Sequence, residues 1–260
     1  MPRPGGAVYP SRFENPDGAT MYNLLISLAV GLAVTLAVRF GTTVGWVGSI
    51  LPGMLTIGVA YFLLARRTWK KLEALMGAVQ KDLLAQKWDR ALQTLEGGFV
   101  LAPWQFLVAS QIHSQIGVLR YVREDYSGAL PHLEKSFSRH GIARAMLALS
   151  RYRKKDLEGM RKIFDDAAKD NKKEGLIYAA WAWVEEKEGN HDQAIAVLAR
   201  GLKASPGDEK LKAAAQALQN DKKLKMGKLY EEQWYQFRLE KPPTQFVSQG
   251  GGRGGRRFIH

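Results

Sequence analysis

Five histidines and two adjacent acid pairs are the side chains best suited to proton transfer or metal ligation in this chain. They are His113, His132, His140, His191 and His260, with Asp165–Asp166 and Glu185–Glu186. Such groups act only when they converge. Adjacent residues on a helix point in different directions, so neither acid pair offers two carboxyls to one substrate. His132 and His140 stand eight residues apart across an expected helix end, a poor spacing for a metal. The sequence holds no phosphate-binding glycine loop and no HExxH. It has no cysteine, which removes disulfides, thiolate metal sites and a cysteine nucleophile. No catalysis, no metal and no cofactor is expected.

The elements that would carry any other function divide sharply in composition. The chain has 260 residues and a net charge of +13, with the basic excess almost wholly after Ala65. Residues 21–38 and 43–65 are uncharged and apolar, each about the length that crosses a bilayer. The link between them is so short that the two spans must form an antiparallel hairpin. Ser27, Gly31 and the series Ala29, Ala33, Ala37 on the first span, with Gly45, Gly48, Ser49 and Gly53 on the second, offer small surfaces for close helix contact. Pro52 is expected to kink the second span. The first span is not read as a signal peptide, because its leader is long and carries Glu14 and Asp17. Arg66, Arg67, Lys70 and Lys71 follow the second span, against Arg39 alone in the link. The positive flank places both termini and everything after residue 65 in the cytoplasm, on an inner-membrane, multi-pass protein. Residues 1–20 and the Gly/Arg-rich residues 241–260 are expected to be disordered tails.

From residue 66 to 240 the pattern is helical throughout, with no persistent strand alternation. Four stretches share one plan: a helix, a tight polar turn, then a helix carrying a small residue, a bulky one four later and a small one three after that. These positions are Ala91, Leu95, Gly98; Ala129, Leu133, then Ser136; Met160, Phe164, Ala167; and Ala194, Leu198, Gly201. The leading members lie 38, 31 and 34 residues apart. Gly189–Asn190 supplies the clearest turn, and Pro103 and Pro206 close the first and last units.

This arrangement resembles the tetratricopeptide (TPR) family, whose period is about 34 residues. Met160 at a small position and Gly141 in place of the closing proline depart from the family pattern. The resemblance covers residues 70–206 and implies an all-α solenoid of about four helix pairs, stacked so that each pair buries the next. Residues 207–240 then serve as capping helices, with Tyr230, Trp234 and Phe237 on one face packed against the last repeat.

The family's concave face is lined by the first helix of each pair. Here that implies a partner groove of Gln80, Gln111, Val118, Tyr121, Tyr152, Arg153, Trp183 and Lys187. Tyrosine, tryptophan and arginine are common anchors, and Arg153 and Lys187 could pair with acidic groups of an extended peptide or helix. The groove lacks the Lys/Asn set with which some members grip a C-terminal carboxylate. A membrane-anchored member of lipopolysaccharide assembly has one span and a cysteine-rich metal module, unlike this chain. The leading expectation is a membrane-anchored scaffold or adaptor for proteins. One alternative is contact with anionic lipid or nucleic acid through basic clusters at residues 66–71, 151–155 and 222–228, nucleic acid being less favoured. Another is a fixed structural subunit of a larger membrane machine.

Overall fold

In the computed structural model, residues 21–43 and 45–242 are described, and among them every regular element is helical. The expected tail at 1–20, and all but residues 241 and 242 of the one expected at 241–260, lie outside those residues. The chain divides into two units, Met1–Ile112 and His113–His260, with the boundary inside one helix.

The first unit begins with α1 (Tyr22–Gly41) and α2 (Trp46–Leu84), both long and apolar enough to cross a membrane. They pack along each other. The buried stripe of α1 is Asn23, Ser27 and Gly31, and that of α2 includes Ser49, Gly53 and Thr68. A β-carbon added at Gly53 would fall 1.9 Å from the Thr35 hydroxyl, and one at Gly31 2.1 Å from Ile57, so only glycine permits this approach. The alanine series drawn from the sequence does not share that contact: Ala29, Ala33 and Ala37 are exposed, because the stripe follows Asn23, Ser27 and Gly31 instead. Hydroxyls within the hairpin bond their own helix, as Ser27 donates to Asn23 O (2.6 Å) and Thr56 to Pro52 O (2.7 Å). Each of these hydroxyl hydrogens is satisfied within its own helix.

α2 does not stop at the end of the apolar span. It continues unbroken through Arg66, Arg67, Lys70 and Lys71, all exposed, to Leu84. α3 (Trp88–Gly97) then turns back onto α2, and a 3-10 segment (Gly98–Trp104) touches both α1 and α2.

α4 (Val108–Val122) carries the unit boundary. The second unit contains α5 (Tyr126–Glu134), α6 (Gly141–Arg153), α7 (Leu157–Asp170), α8 (Gly175–Lys187), α9 (His191–Ala204) and α10 (Glu209–Gln219). Two short helices follow, α11 (Met226–Tyr230) and α12 (Glu232–Tyr235). Successive helices contact each other from α5 to α11, and α6 also meets α8 as α8 meets α10.

One local device recurs. A left-handed residue ends a helix at Gln86, Glu124, Lys155, Gly189 and Asp221. At each, the next residue's N–H closes back onto a carbonyl five residues earlier: Lys87 to Asp82, Asp125 to Arg120, Asp156 to Arg151, Asn190 to Glu185 and Lys222 to Ala217, at 2.8–3.1 Å. This is the Schellman helix stop. Glycine takes the left-handed conformation without steric cost, and only Gly189 supplies it. The following helix is capped by Asp125 (to Gly128 N, 2.9 Å) and Asp156 (to Gly159 N, 2.8 Å).

The uneven sequence spacing has a local cause. The long first interval contains the 3-10 segment Gly98–Trp104, and the short second one reflects α5, nine residues against fourteen in α7 and α9. Of the repeat positions named from the sequence, Ala91, Leu95, Gly98, Ala129, Leu133, Met160, Phe164, Ala167, Ala194, Leu198 and Gly201 are buried, and Ser136 is half-buried. At the last left-handed turn, Asp221, no long second helix follows. After α10, the expected capping helices over residues 207–240 continue only as the short α11 and α12, broken at Glu231 with φ of +50°.

Candidate functional site

The first helices of the second unit bring Tyr121, Arg153 and Trp183 to one surface, and residues 226–240 of the same chain lie on it. Trp234 is fully buried, edge-on to Trp183 (6.0 Å) and to Phe237 (6.0 Å). Trp183 Nε1 donates to Glu240 Oε1 at 2.9 Å. Farther along, the Tyr121 hydroxyl donates to the Phe237 carbonyl at 3.1 Å. Arg153 Nη2 donates to the Arg238 carbonyl at 2.9 Å and reaches Phe237 O at 3.5 Å. Arg238 returns the grip, donating through Nε and Nη2 to Val122 O at 3.1 and 2.8 Å. Its guanidinium also faces Glu124 at 3.6 Å.

Two aromatic rings prepare Arg153 for this role. Its guanidinium stands 4.2 Å from the Tyr126 ring centroid and 5.8 Å from that of Tyr121, while Tyr121 and Tyr126 meet edge-on at 5.0 Å. Cation–π attraction holds the charge where it can donate to main-chain carbonyls. Burial drives the Tyr121 hydroxyl up to about 12, against the opposing pull of Arg153, so the phenol stays a donor at neutral pH. The arrangement holds the chain's own segment in two ways at once. Side-chain donors read backbone carbonyls without regard to sequence, and the buried Trp234 and Phe237 rings supply shape.

The sequence placed these groove residues on an open concave face. The structure corrects that for Tyr121 and Trp183, which are 0% and 8% exposed beneath the segment. Arg153 remains exposed, although its donors are engaged. Tyr152 points to a neighbouring pair, its hydroxyl donating to Glu188 Oε1 at 3.0 Å. Lys187 lies over the Trp183 ring at 5.2 Å, and Val118 packs half-buried against the core. Gln80 (exposed) and Gln111 (half-buried) belong to the first unit. The aromatic trio of the C-terminal segment reaches beyond the last helix pair, because Phe237 meets a side chain of α4. Tyr126 and Arg238 escaped sequence reasoning. Nothing in a chain pattern pairs residues separated by 116 positions, as Arg238 and Val122 are.

The titratable groups sort differently. Glu185, fully buried, is held by Arg161 through Nε and Nη2 (2.8 Å each), by Trp181 Nε1 (3.0 Å) and by Asn190 Nδ2 (3.0 Å). Burial pushes its carboxyl up, but these donors outweigh it and hold the group below the usual carboxylate range. It staples α7 to α8 and to the following turn. His113 and His132, distant in sequence, meet with Nδ1 atoms 2.9 Å apart. One ring must donate and the other accept, so their tautomers differ. Desolvation, aided by nearby Lys135, lowers both to about 4. Among the described residues no group of three or more His, Cys, Asp or Glu forms a metal cluster. The basic run at residues 151–155 is partly spent inside the fold, with Arg151 paired to Glu134 at 2.8 Å. Lys222, Lys223 and Lys225 are exposed on a non-helical stretch, not on the helix surface expected.

In the first unit, Asn23 Nδ2 donates to Thr68 Oγ1 (3.0 Å) and Gln105 Oε1 (3.3 Å), and Tyr22 meets Trp104 edge-on at 5.5 Å. No protein-family model matches this chain, and no curated protein matches it.

Proposed function

We propose that this chain is a two-span, TPR-like scaffold of a bacterial-type inner membrane. Its helix pairs stand on the cytoplasmic side and bind an aromatic-bearing protein segment, and it performs no catalysis. The recurring left-handed helix stop, followed by a capped second helix whose inner stripe is small–bulky–small, supports the TPR-like reading.

Membrane insertion is supported by what the hairpin leaves uncovered: Leu32, Leu51 and Leu55 are 60%, 68% and 71% exposed. An apolar surface of this kind marks a membrane or protein partner. Aromatic side chains stand at both ends of the hairpin, with Arg39 over Trp46 (5.2 Å) at one and Tyr22 against Trp104 at the other. Such belts accompany the two bilayer interfaces. Arg66, Arg67, Lys70 and Lys71 favour the cytoplasm for the end that bears them.

The observation that carries the scaffold reading is the segment 226–240 lying on Tyr121, Arg153 and Trp183. The face recognises a peptide, and its resident occupant is the chain's own. An external partner then competes with that segment. Affinity capture from detergent extract tests this with the full-length protein. Arg238→Ala loosens the resident segment and is expected to increase partner capture. Arg153→Ala removes the carbonyl-reading cation and is expected to decrease it. Identical partner profiles for wild type and both variants would reject the groove as a partner site.

A further inference from the structure

A small cleft at the base of the hairpin has the chemistry of an anion site. It has a volume of about 150 Å³ and is bordered by Asn23, Arg67, Thr68, Lys71 and Trp104. Arg67 and Lys71 lie one helical turn apart on α2, and both are exposed. Neither makes an ion pair among the described residues, and no carboxylate borders the cleft. Asn23, only 1% exposed, spends its amide on Thr68 and Gln105, and Thr68 donates to Leu64 O at 3.1 Å. The floor is therefore a fixed polar platform, and the two cations are the groups left over for a ligand.

Position selects among anions. From Trp46, where α2 begins, to Leu64 the helix runs 19 residues, or about 28 Å at 1.5 Å per residue, close to one hydrocarbon thickness. Arg67 and Lys71 come within the next two turns, at the depth of lipid phosphates. Trp104, 40% exposed, stands at the same level with its partner Tyr22, as interfacial aromatics do. Leu64 and Leu101 form an apolar wall on which an acyl-glycerol backbone could rest.

We propose that this cleft binds the phosphodiester of an anionic lipid headgroup, with Arg67 and Lys71 as the ligating cations. This rests on the membrane reading above. With two cations and no carboxylate in its lining, the cleft favours a headgroup of net negative charge over a zwitterionic one. It thus discriminates phosphatidylglycerol from phosphatidylcholine, although both carry a phosphate. Arg66 and Lys70 do not border the cleft and give a charge-matched control.

The test is native mass spectrometry of the full-length protein in detergent micelles, with phosphatidylglycerol, phosphatidylcholine or inorganic phosphate added. Wild type is expected to retain phosphatidylglycerol in preference to the other two. Arg67→Gln/Lys71→Gln should reduce that retention about tenfold, as expected for loss of charge-assisted hydrogen bonds, and Arg66→Gln/Lys70→Gln should largely keep it. Equal loss in both double variants would show diffuse surface charge and overturn the site. Undiminished lipid in the Arg67/Lys71 variant, or inorganic phosphate held as well as lipid, would also overturn it. Recovery of wild type in the soluble fraction without detergent would instead defeat the membrane reading, a separate and recognisable failure.

Discussion

The hairpin and the second unit bury opposite kinds of residue. In α1 and the apolar first half of α2 the buried positions are Asn23, Ser27, Gly31, Ser49 and Gly53, while leucines such as Leu32, Leu51 and Leu55 face outward; beyond residue 65, α2 buries Thr68, Leu72 and Val79. In α6 to α9 the buried positions include Leu149, Phe164, Trp181 and Leu198, with Glu185 as a paired exception, and the lysines face outward. On the membrane reading proposed above, the same helical geometry serves two solvents. Where the surroundings are as apolar as leucine, burying leucine gains nothing and helices associate through close backbone approach and hydroxyl bonding. Where the surroundings are water, area burial supplies the stabilisation at about 25 cal/mol per Å².

Substitutions that should be costly on one side of this comparison and mild on the other can break it. The largest effect is expected for Trp234→Ala, which empties the centre of the C-terminal aromatic cluster. Its cost should be about 3–5 kcal/mol, measured by denaturant unfolding of the detergent-solubilised protein. Leu55→Ala, on the exposed hairpin face, should cost far less in the same assay. Next comes Leu32→Lys. A lysine at a water-facing position changes stability little, whereas near mid-bilayer it costs about 2.5–3.5 kcal/mol of insertion. The fraction recovered in membranes should fall accordingly.

A smaller effect concerns pH. Burial lowers His113 and His132 to about 4 from the ordinary histidine value of 6.5, so the folded state binds fewer protons than the unfolded one between those values. Stability from this pair is full above pH 6.5 and is lost as pH falls through 4. His191, raised by its bond to Glu186, works in the opposite sense. The pair's loss should be about 1–2 kcal/mol, reduced by solvent on its open side. His132→Gln should flatten that part of the pH–stability profile, and an unchanged slope would count against the pair. The smallest effect is Lys155→Gly. Relieving a left-handed lysine (φ +62°) should gain about 1 kcal/mol in the same unfolding assay.

Local rules made much of this legible in the sequence. Unbroken apolar runs marked α1 and the first half of α2, and the small–bulky–small stripe picked out positions that are buried at every point but the half-buried Ser136. The contact face of the hairpin was harder. Ala29, Ala33 and Ala37 satisfy the same fourfold spacing as Asn23, Ser27 and Gly31, and only Gly31 meeting Gly53 breaks the tie. The groove residues were named from the type of helix that bears them. Their occupant was not legible, because the reciprocal grip of Arg153 and Arg238 depends on long-range chain return. The His113–His132 contact joins the consecutive helices α4 and α5, and was hidden because it depends on how that one pair is rotated.

The inside-out hairpin is the centre of the account, and the absence of native cysteine makes it directly measurable. Spin labels at Leu32→Cys, Leu55→Cys and Lys162→Cys, in protein reconstituted into lipid vesicles, report collisions with apolar oxygen and with a water-soluble nickel chelate. At positions 32 and 55 oxygen should collide often and the nickel chelate rarely, with the reverse at 162. Equal access of the nickel chelate to all three positions would contradict the account.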